Sequence, residues 1–243
     1  MKKHLLALLI AAGAVSTAST QAQVANANPG DVILAFDDAS IQKEYLVDLG
    51  AGSTLANFQS INVGTDLATV FGSSWQTDQN LQFGLFGINT TKTDVWASTS
   101  SGNGAFPIKS TGALATTSAH YNAIIGNFNG DIANGQGLTA GVQVNIGTGS
   151  DKGYSTFLGN NPTATAGSAF AVYNQSLMTG INGTLDVYQT GNGAGSSVAL
   201  FSSAAGSALQ VDATGQVIPE PSTYALMGLG TLLLVIVYRR KTA

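Results

Sequence analysis

The sequence predicts a mainly β body, a sandwich or jelly-roll-like domain with a few short helices, placed between an N-terminal signal peptide and a single hydrophobic C-terminal helix. Three observations carry this expectation. The apolar runs of the middle of the chain are short and rich in Val, Ile, Leu, Phe and Tyr. Clusters of Gly, Asn, Ser and Thr punctuate them, as turns between strands require. Both ends carry longer apolar runs flanked by basic residues. With 243 residues and 44% hydrophobic content, the chain can bury one sizeable core.

The N-terminus has the layout of a secretory signal peptide. Lys2 and Lys3 supply the positive start, Leu5 to Val15 the apolar run, and small residues follow. Cleavage fits the small-x-small rule after Ala22, with Thr20 at −3, or after Ala27, with Ala25 at −3. The apolar run is too short to span a membrane, which needs about 20 such residues. The organisation adopted is a signal peptide over 1–27, a body over 28–216 and a C-terminal signal over 217–243.

Within the body, Asp31–Phe36 and Glu44–Leu49 read as an antiparallel pair of strands, with Asp37 and Asp38 in the turn between them. Gln82–Ile88 and Thr93–Ser98 form a second pair, turning through Asn89 to Lys92. Leu138–Ile146, Ala169–Tyr173 and Thr184–Gln189 are further strands. Ser207–Val211 and Gln216–Ile218 close the body as a final pair around Ala213-Thr214-Gly215. Helices are expected over Ser53–Ser60, Asp66–Phe71 and Ala119–Asn127.

Charge and composition exclude several functions. Between Ala27 and Pro219 stand four lysines, no arginine and twelve carboxylates, a formal charge of −8. A nucleic-acid partner would need a basic face that this body lacks. The chain has no cysteine, which removes disulfides, thiolate metal sites and Cys nucleophiles. His120 is the one histidine of the exported part, and no Gly-x-Ser-x-Gly elbow accompanies it, so it reads as a surface or packing residue. Asn127-Phe-Asn-Gly-Asp131 offers oxygen donors for calcium, but loop formation is its simpler reading. Gly191-Asn-Gly193-Ala-Gly195 reads as a flexible loop. Trp75, Trp96, Tyr121, Tyr154 and Tyr173 are expected to pack internally; an exposed row of them would instead suit sugar stacking. Asn89, Asn174 and Asn182 open glycan-acceptor tripeptides. No catalytic residue, metal site or cofactor is assigned, and the chain is read as a non-enzyme.

The C-terminus is the most informative segment. An apolar run from Tyr224 to Tyr238 ends on Arg239, Arg240 and Lys241, a basic membrane stop. Its fifteen residues reach about 22 Å as a helix, against a bilayer core of about 30 Å. Such a span is marginal, and Gly228 and Gly230 weaken it further. Immediately before it stands Val217-Ile218-Pro219-Glu220-Pro221-Ser222-Thr223. Pro219 and Pro221 fix φ and hold the residues before them extended, a form that a protease-like site can grip.

The block from Val217 to Lys241 resembles the PEP-CTERM protein-sorting signal, which joins a Pro-Glu-Pro motif, one short hydrophobic helix and a terminal basic cluster. The resemblance implies that Pro219, Glu220 and Pro221 are recognition residues and that exosortase, a membrane transpeptidase-like enzyme of Gram-negative envelopes, is the processing partner. By the positive-inside rule both basic ends stay cytoplasmic, and the body crosses the inner membrane through the secretion machinery. The expected product is a cell-surface or extracellular-matrix protein, structural or adhesive, with exopolysaccharide as a further partner. A carbohydrate-binding module is the alternative, and a secreted polysaccharide hydrolase is the third reading.

Overall fold

Side chains alternate across a strand, so a run that is apolar at every position must be covered on both faces. Val32–Phe36 is such a run, and all eight residues of the strand that contains it, Asp31–Asp38, are buried. In the computed structural model, which describes residues 25–38, 40–91, 94–100, 111–145, 178–191, 197–201 and 208–219, this strand, β1, lies well inside a single antiparallel sheet. The other strands are β2 (Lys43–Ala51), β3 (Ile61–Asn62), β4 (Gln82–Ile88), β5 (Asp94–Ser100), β6 (Val142–Asn145), β7 (Met178–Gly180), β8 (Thr184–Gly191), β9 (Ser197–Phe201), β10 (Leu209–Val211) and β11 (Gln216–Pro219). Their order across the sheet is β3-β11-β10-β8-β5-β4-β1-β2-β6, with β7 also pairing β4 and β9 also pairing β8. Among the described residues two α-helices accompany them, α1 (Gly64–Phe71) and α2 (Thr111–Ala133), together with 3-10 turns at Gly52–Asn57 and Trp75–Thr77.

The two faces of the sheet bury separate cores. On one face, Ile33, Ala35, Leu46, Phe86, Ile88 and Val95 pack with Tyr121, Ile124, Ile125 and Phe128 of α2. The apolar positions of α2 recur at 121, 124, 125, 128 and 132, the spacing of one helical stripe. On the other face, Val32, Leu34, Phe36, Tyr45, Phe83 and Leu85 meet Leu67 and Val70 of α1, Trp75, and Ile61, Leu209 and Val217 from the strands at one end of the sheet. The sheet therefore curls around this second core as a half-barrel.

The mainly β class is as the sequence predicts. The arrangement differs from a sandwich in that the strands form one hydrogen-bonded sheet. The sheet curves over one core and takes helix α2 as the cover for the other. Helix α2 runs from Thr111 to Ala133, well beyond the expected Ala119–Asn127. Its Gly, Thr and Asn residues weaken the local helical signal, and the packed stripe compensates. Asp37 and Asp38 belong to β1 and not to the turn, because both side chains are buried. Asp38 still organises that turn, its Oδ1 accepting from the Ser40 N–H at 2.8 Å and the Ser40 hydroxyl at 2.6 Å. The expected pairs β1–β2, β4–β5 and β10–β11 are all present and antiparallel. The strand expected over Ala169–Tyr173 lies outside the described residues, as do the apolar core of the expected signal peptide and the C-terminal apolar run.

Candidate functional site

The site of interest is the junction where the body hands over to its C-terminal signal, and it is built from a hairpin. Asp212-Ala-Thr-Gly215 makes the tight turn between β10 and β11. The Asp212 Oδ1 accepts from the Thr214 N–H at 2.7 Å, the Thr214 hydroxyl at 2.6 Å and the Gln216 N–H at 3.0 Å. Slight burial raises the Asp212 pKa, but these donors outweigh it and hold the carboxyl below its ordinary value. Gly215 takes φ of +81°, which favours glycine there.

The hairpin is fastened to the start of α1. The Val63 N–H donates to the Gly215 carbonyl at 2.8 Å. Gly64 and Gly215 lie back to back: a Cβ on Gly64 would stand 2.2 Å from the Thr214 carbonyl oxygen, and one on Gly215 would stand 2.1 Å from the Gly64 Cα. Only paired glycines permit this approach. The Gln216 Nε2 donates to the Ser60 Oγ at 3.1 Å, and β11 pairs with β3 through Gln216↔Asn62 and Val217↔Ile61. On its other side β11 pairs with β10 through Val217↔Val211, Ile218↔Gln210 and Pro219↔Leu209. Val217 has no exposed surface at all. Pro219 is the terminal residue of the strand, where its missing N–H is tolerated. A cleft of about 580 Å³ opens beside the hairpin, bordered by Asn62, Thr65, Thr69, Trp75 and Thr214.

Of the recognition residues expected from the sequence, Pro219 thus stands at the very end of the sheet. Glu220, Pro221, Arg239, Arg240 and Lys241 lie outside the described residues. Sequence reasoning missed Gly64, Ser60 and Gly215 as the residues that seat the hairpin. The turn itself is legible in Asp212-Ala-Thr-Gly215, but nothing local marks Gly64 as its partner.

Other residues singled out by sequence fall as follows. Asn127-Phe-Asn-Gly-Asp131 lies within helix α2 and is not a loop, because Phe128 is part of the packed stripe. Burial raises the pKa of Asp131. Trp75, Trp96 and Tyr121 are buried, whereas Tyr154 and Tyr173 lie outside the described residues. His120 is carried on the backbone of α2. Asn89 is held by Asp94, donating to its Oδ2 at 2.7 Å. Asn182 is exposed, its Nδ2 donating to the Gln76 carbonyl at 3.2 Å; Asn174 is outside the described residues.

Two carboxylate settings have well-defined chemistry. The Asp66 carboxylate is buried and accepts from the Tyr45 hydroxyl at 2.6 Å, the Ala140 N–H at 2.7 Å and the Thr139 N–H at 3.2 Å. It ties α1, β2 and the loop before β6 together. Burial, reinforced by the Asp66 carboxylate, raises the Tyr45 phenol well above its usual range. Asp48 stands beside Asp31 at the bulged end of the β1–β2 ladder. Burial pushes the Asp48 pKa up to about 6; the Gly50 N–H, 2.7 Å from its Oδ1, opposes this, and the neighbouring Asp31 adds to it. Among the described residues no group of three His, Asp or Glu side chains is placed to hold a metal ion. Among the same residues no helix is long and apolar enough to cross a membrane.

Comparison with known proteins identifies the C-terminal block. Residues 217–241 match the family model of the PEP-CTERM protein-sorting motif. No curated protein and no solved structure matches the chain. The chain therefore carries a PEP-CTERM protein-sorting motif as its C-terminal block, and that motif implies an exported protein with exosortase as its processing partner. The matched block begins at Val217, inside strand β11, so the sorting signal and the folded body overlap over Val217–Pro219.

Proposed function

We propose that the body is a non-catalytic structural or adhesive component of the cell surface or extracellular matrix, associated with exopolysaccharide, and that the tail holds it in the inner membrane only until exosortase acts. One observation carries this reading: the sorting signal starts inside strand β11, whose Val217 is wholly buried, so its first residues, Val217–Pro219, belong to the body's own sheet. What is sorted is the β body itself. The buried carboxylates support a structural role. Asp66 joins three elements, and Asp38 shapes the turn after β1, each through direct hydrogen bonds to the protein's own groups. The burial of Trp75, Trp96 and Tyr121 also favours packing over sugar stacking for these rings.

In the proposed sequence of events the chain enters by the general secretory route, and the basic cluster Arg239–Lys241 stops transfer. Pro219, Glu220 and Pro221 then stand just outside the bilayer. Four residues, 220–223, connect the last strand to the apolar run; fully extended they reach about 14 Å. The folded body is held close to the membrane surface during processing. The test is replacement of both Pro219 and Pro221 by Ala. The expected result is an uncut precursor that stays with the membrane. Appearance of the altered protein outside the cell at the size of the normal product would refute the assignment.

A further inference from the structure

A cleft of about 660 Å³ is bordered by the segment before β1, the turn after β4 and one stripe of α2. Its size falls within the roughly 300–1,000 Å³ of small-molecule sites. Ser118, Asn122, Gly126 and Asn129 form the helical side, at a spacing that puts all four on one face of α2. The segment before β1 contributes Asn26, Asn28 and Pro29. Hydrogen bonds fix these sides relative to each other. The Ala27 N–H donates to the Asn129 Oδ1 at 2.8 Å, and the Ala27 carbonyl accepts from the Asn129 Nδ2 at 2.9 Å. The Asn28 N–H donates to the Asp31 Oδ2 at 2.6 Å. The segment is thus tied to both α2 and β1, so the cleft is formed before any ligand arrives and binding has little ordering cost to meet.

The lining carries hydrogen-bonding groups that the fold does not use. Ser118 is 6% exposed, yet its hydroxyl has no hydrogen-bond partner among the described residues. A hydroxyl so enclosed is ordinarily paired. The Asn122 amide is exposed and bonds to nothing among the same residues. The Asn28 Nδ2 reaches the Asn26 carbonyl only at 3.5 Å. Hydroxyls and amides both donate and accept, which suits a ligand whose own groups do both. Pro29, Ile88 and Ile125 add an apolar surface beside them. None of the described residues that border the cleft is charged. The body carries a formal charge of −8, so an acidic polymer would meet repulsion with no cation in the cleft to answer it. We infer that the cleft binds an uncharged saccharide, its C–H faces on Pro29, Ile88 and Ile125 and its hydroxyls on Ser118, Asn122 and Asn28. This rests on the exopolysaccharide association proposed above and gives it a site and a ligand class. It also needs none of the buried rings Trp75, Trp96 and Tyr121.

The experiment measures binding of the protein, recovered from the cells that make it, to immobilised oligomers of glucose, mannose, galactose and N-acetylglucosamine. Oligomers of galacturonate and mannuronate are the acidic counterparts. Retention on at least one neutral oligomer and on neither acidic one is expected. Gly126→Trp is expected to abolish it, because a Cβ at Gly126 meets no atom within 4 Å and the ring fills the cleft without displacing backbone. Asn122→Ala, which removes one exposed amide, is expected to weaken it about tenfold. Asn80→Ala, an exposed amide beyond the opposite end of β4, is expected to leave it unchanged. Thermal unfolding checks that each variant is folded; should Gly126→Trp fail this check, Asn122→Ala decides. Neutral binding that survives the cleft variants intact would overturn the site and leave the exopolysaccharide association standing. Binding to the acidic oligomers alone would overturn the ligand class and again leave that association standing. Binding to none of the saccharides would overturn both.

Discussion

Substituting Gly64 by Val tests whether the sorting tail is anchored through the contact between α1 and the last hairpin. The new Cβ would stand 2.2 Å from the Thr214 carbonyl oxygen, 3.1 Å from its carbon and 3.3 Å from the Gly215 Cα. All three are backbone atoms, so no side-chain rotation relieves the clash and the hairpin must move away. Separation breaks the bond from the Val63 N–H to the Gly215 carbonyl, worth about 1 kcal/mol net. It also uncovers part of Val217 and Ile61, each of which would contribute roughly 1.5–3 kcal/mol when fully buried. Taking half of that burial as lost, the local cost is about 3 kcal/mol. That corresponds to roughly a hundredfold more frequent opening of β10 and β11. Native-state hydrogen exchange on the body measures this directly. The amides of Val211 and Val217 should lose about two decades of protection, while those of β1 and β4 keep theirs. Gly126→Ala on α2 is the control, since its Cβ would meet no atom within 4 Å and alanine favours a helix. Unchanged protection of Val211 and Val217 in Gly64→Val would refute the anchoring.

Three further outcomes are expected. Because the folded pKa of Asp48 is raised to about 6, the native state holds its proton more tightly than the unfolded chain, so the contribution of Asp48 to stability is fully present below about pH 4 and is lost as pH rises through 6. Partial exposure limits this loss to about 1–2 kcal/mol, and Asp48→Asn should flatten it in denaturant titrations between pH 4 and 7. Asp66→Ala orphans the Tyr45 hydroxyl and two backbone N–H groups, so chemical denaturation should show a loss of about 3 kcal/mol or more. Tyr45→Phe removes only one donor and should cost about 1–2 kcal/mol in the same measurement.

Much of the sheet is legible in the sequence because strands report themselves locally. Gln82–Ile88 carries an unbroken run without a polar side chain from Phe83 to Ile88, stops at Asn89, and forms β4 over the same limits. The turn Asp212–Gly215 announces its hairpin by residue type alone. Other elements depend on partners far along the chain. The two-residue strand β3 has no signal of its own and exists because Ile61 and Asn62 meet β11. Trp75–Thr77 turns where it does because Trp75 is drawn into the inner core. The stretch Asn127–Asp131 carries loop residues yet is helical, since Phe128 completes a stripe that the sheet buries.

For the sorting function the division is sharper. The Pro-Glu-Pro motif, the short apolar run and the basic cluster are contiguous properties of one segment, so the sequence alone determined that this chain carries a PEP-CTERM sorting motif. Periodicity and turn chemistry, also local, determined the β class. Only the tertiary structure decided that the sheet is single and curled, because closure depends on how the edge strands meet the inner core. It alone joined Gly64 to Gly215 and Ala27 to Asn129, contacts between residues more than a hundred positions apart. Such pairs leave no local trace, since each partner is an unremarkable Gly, Ala or Asn until the fold brings the other against it.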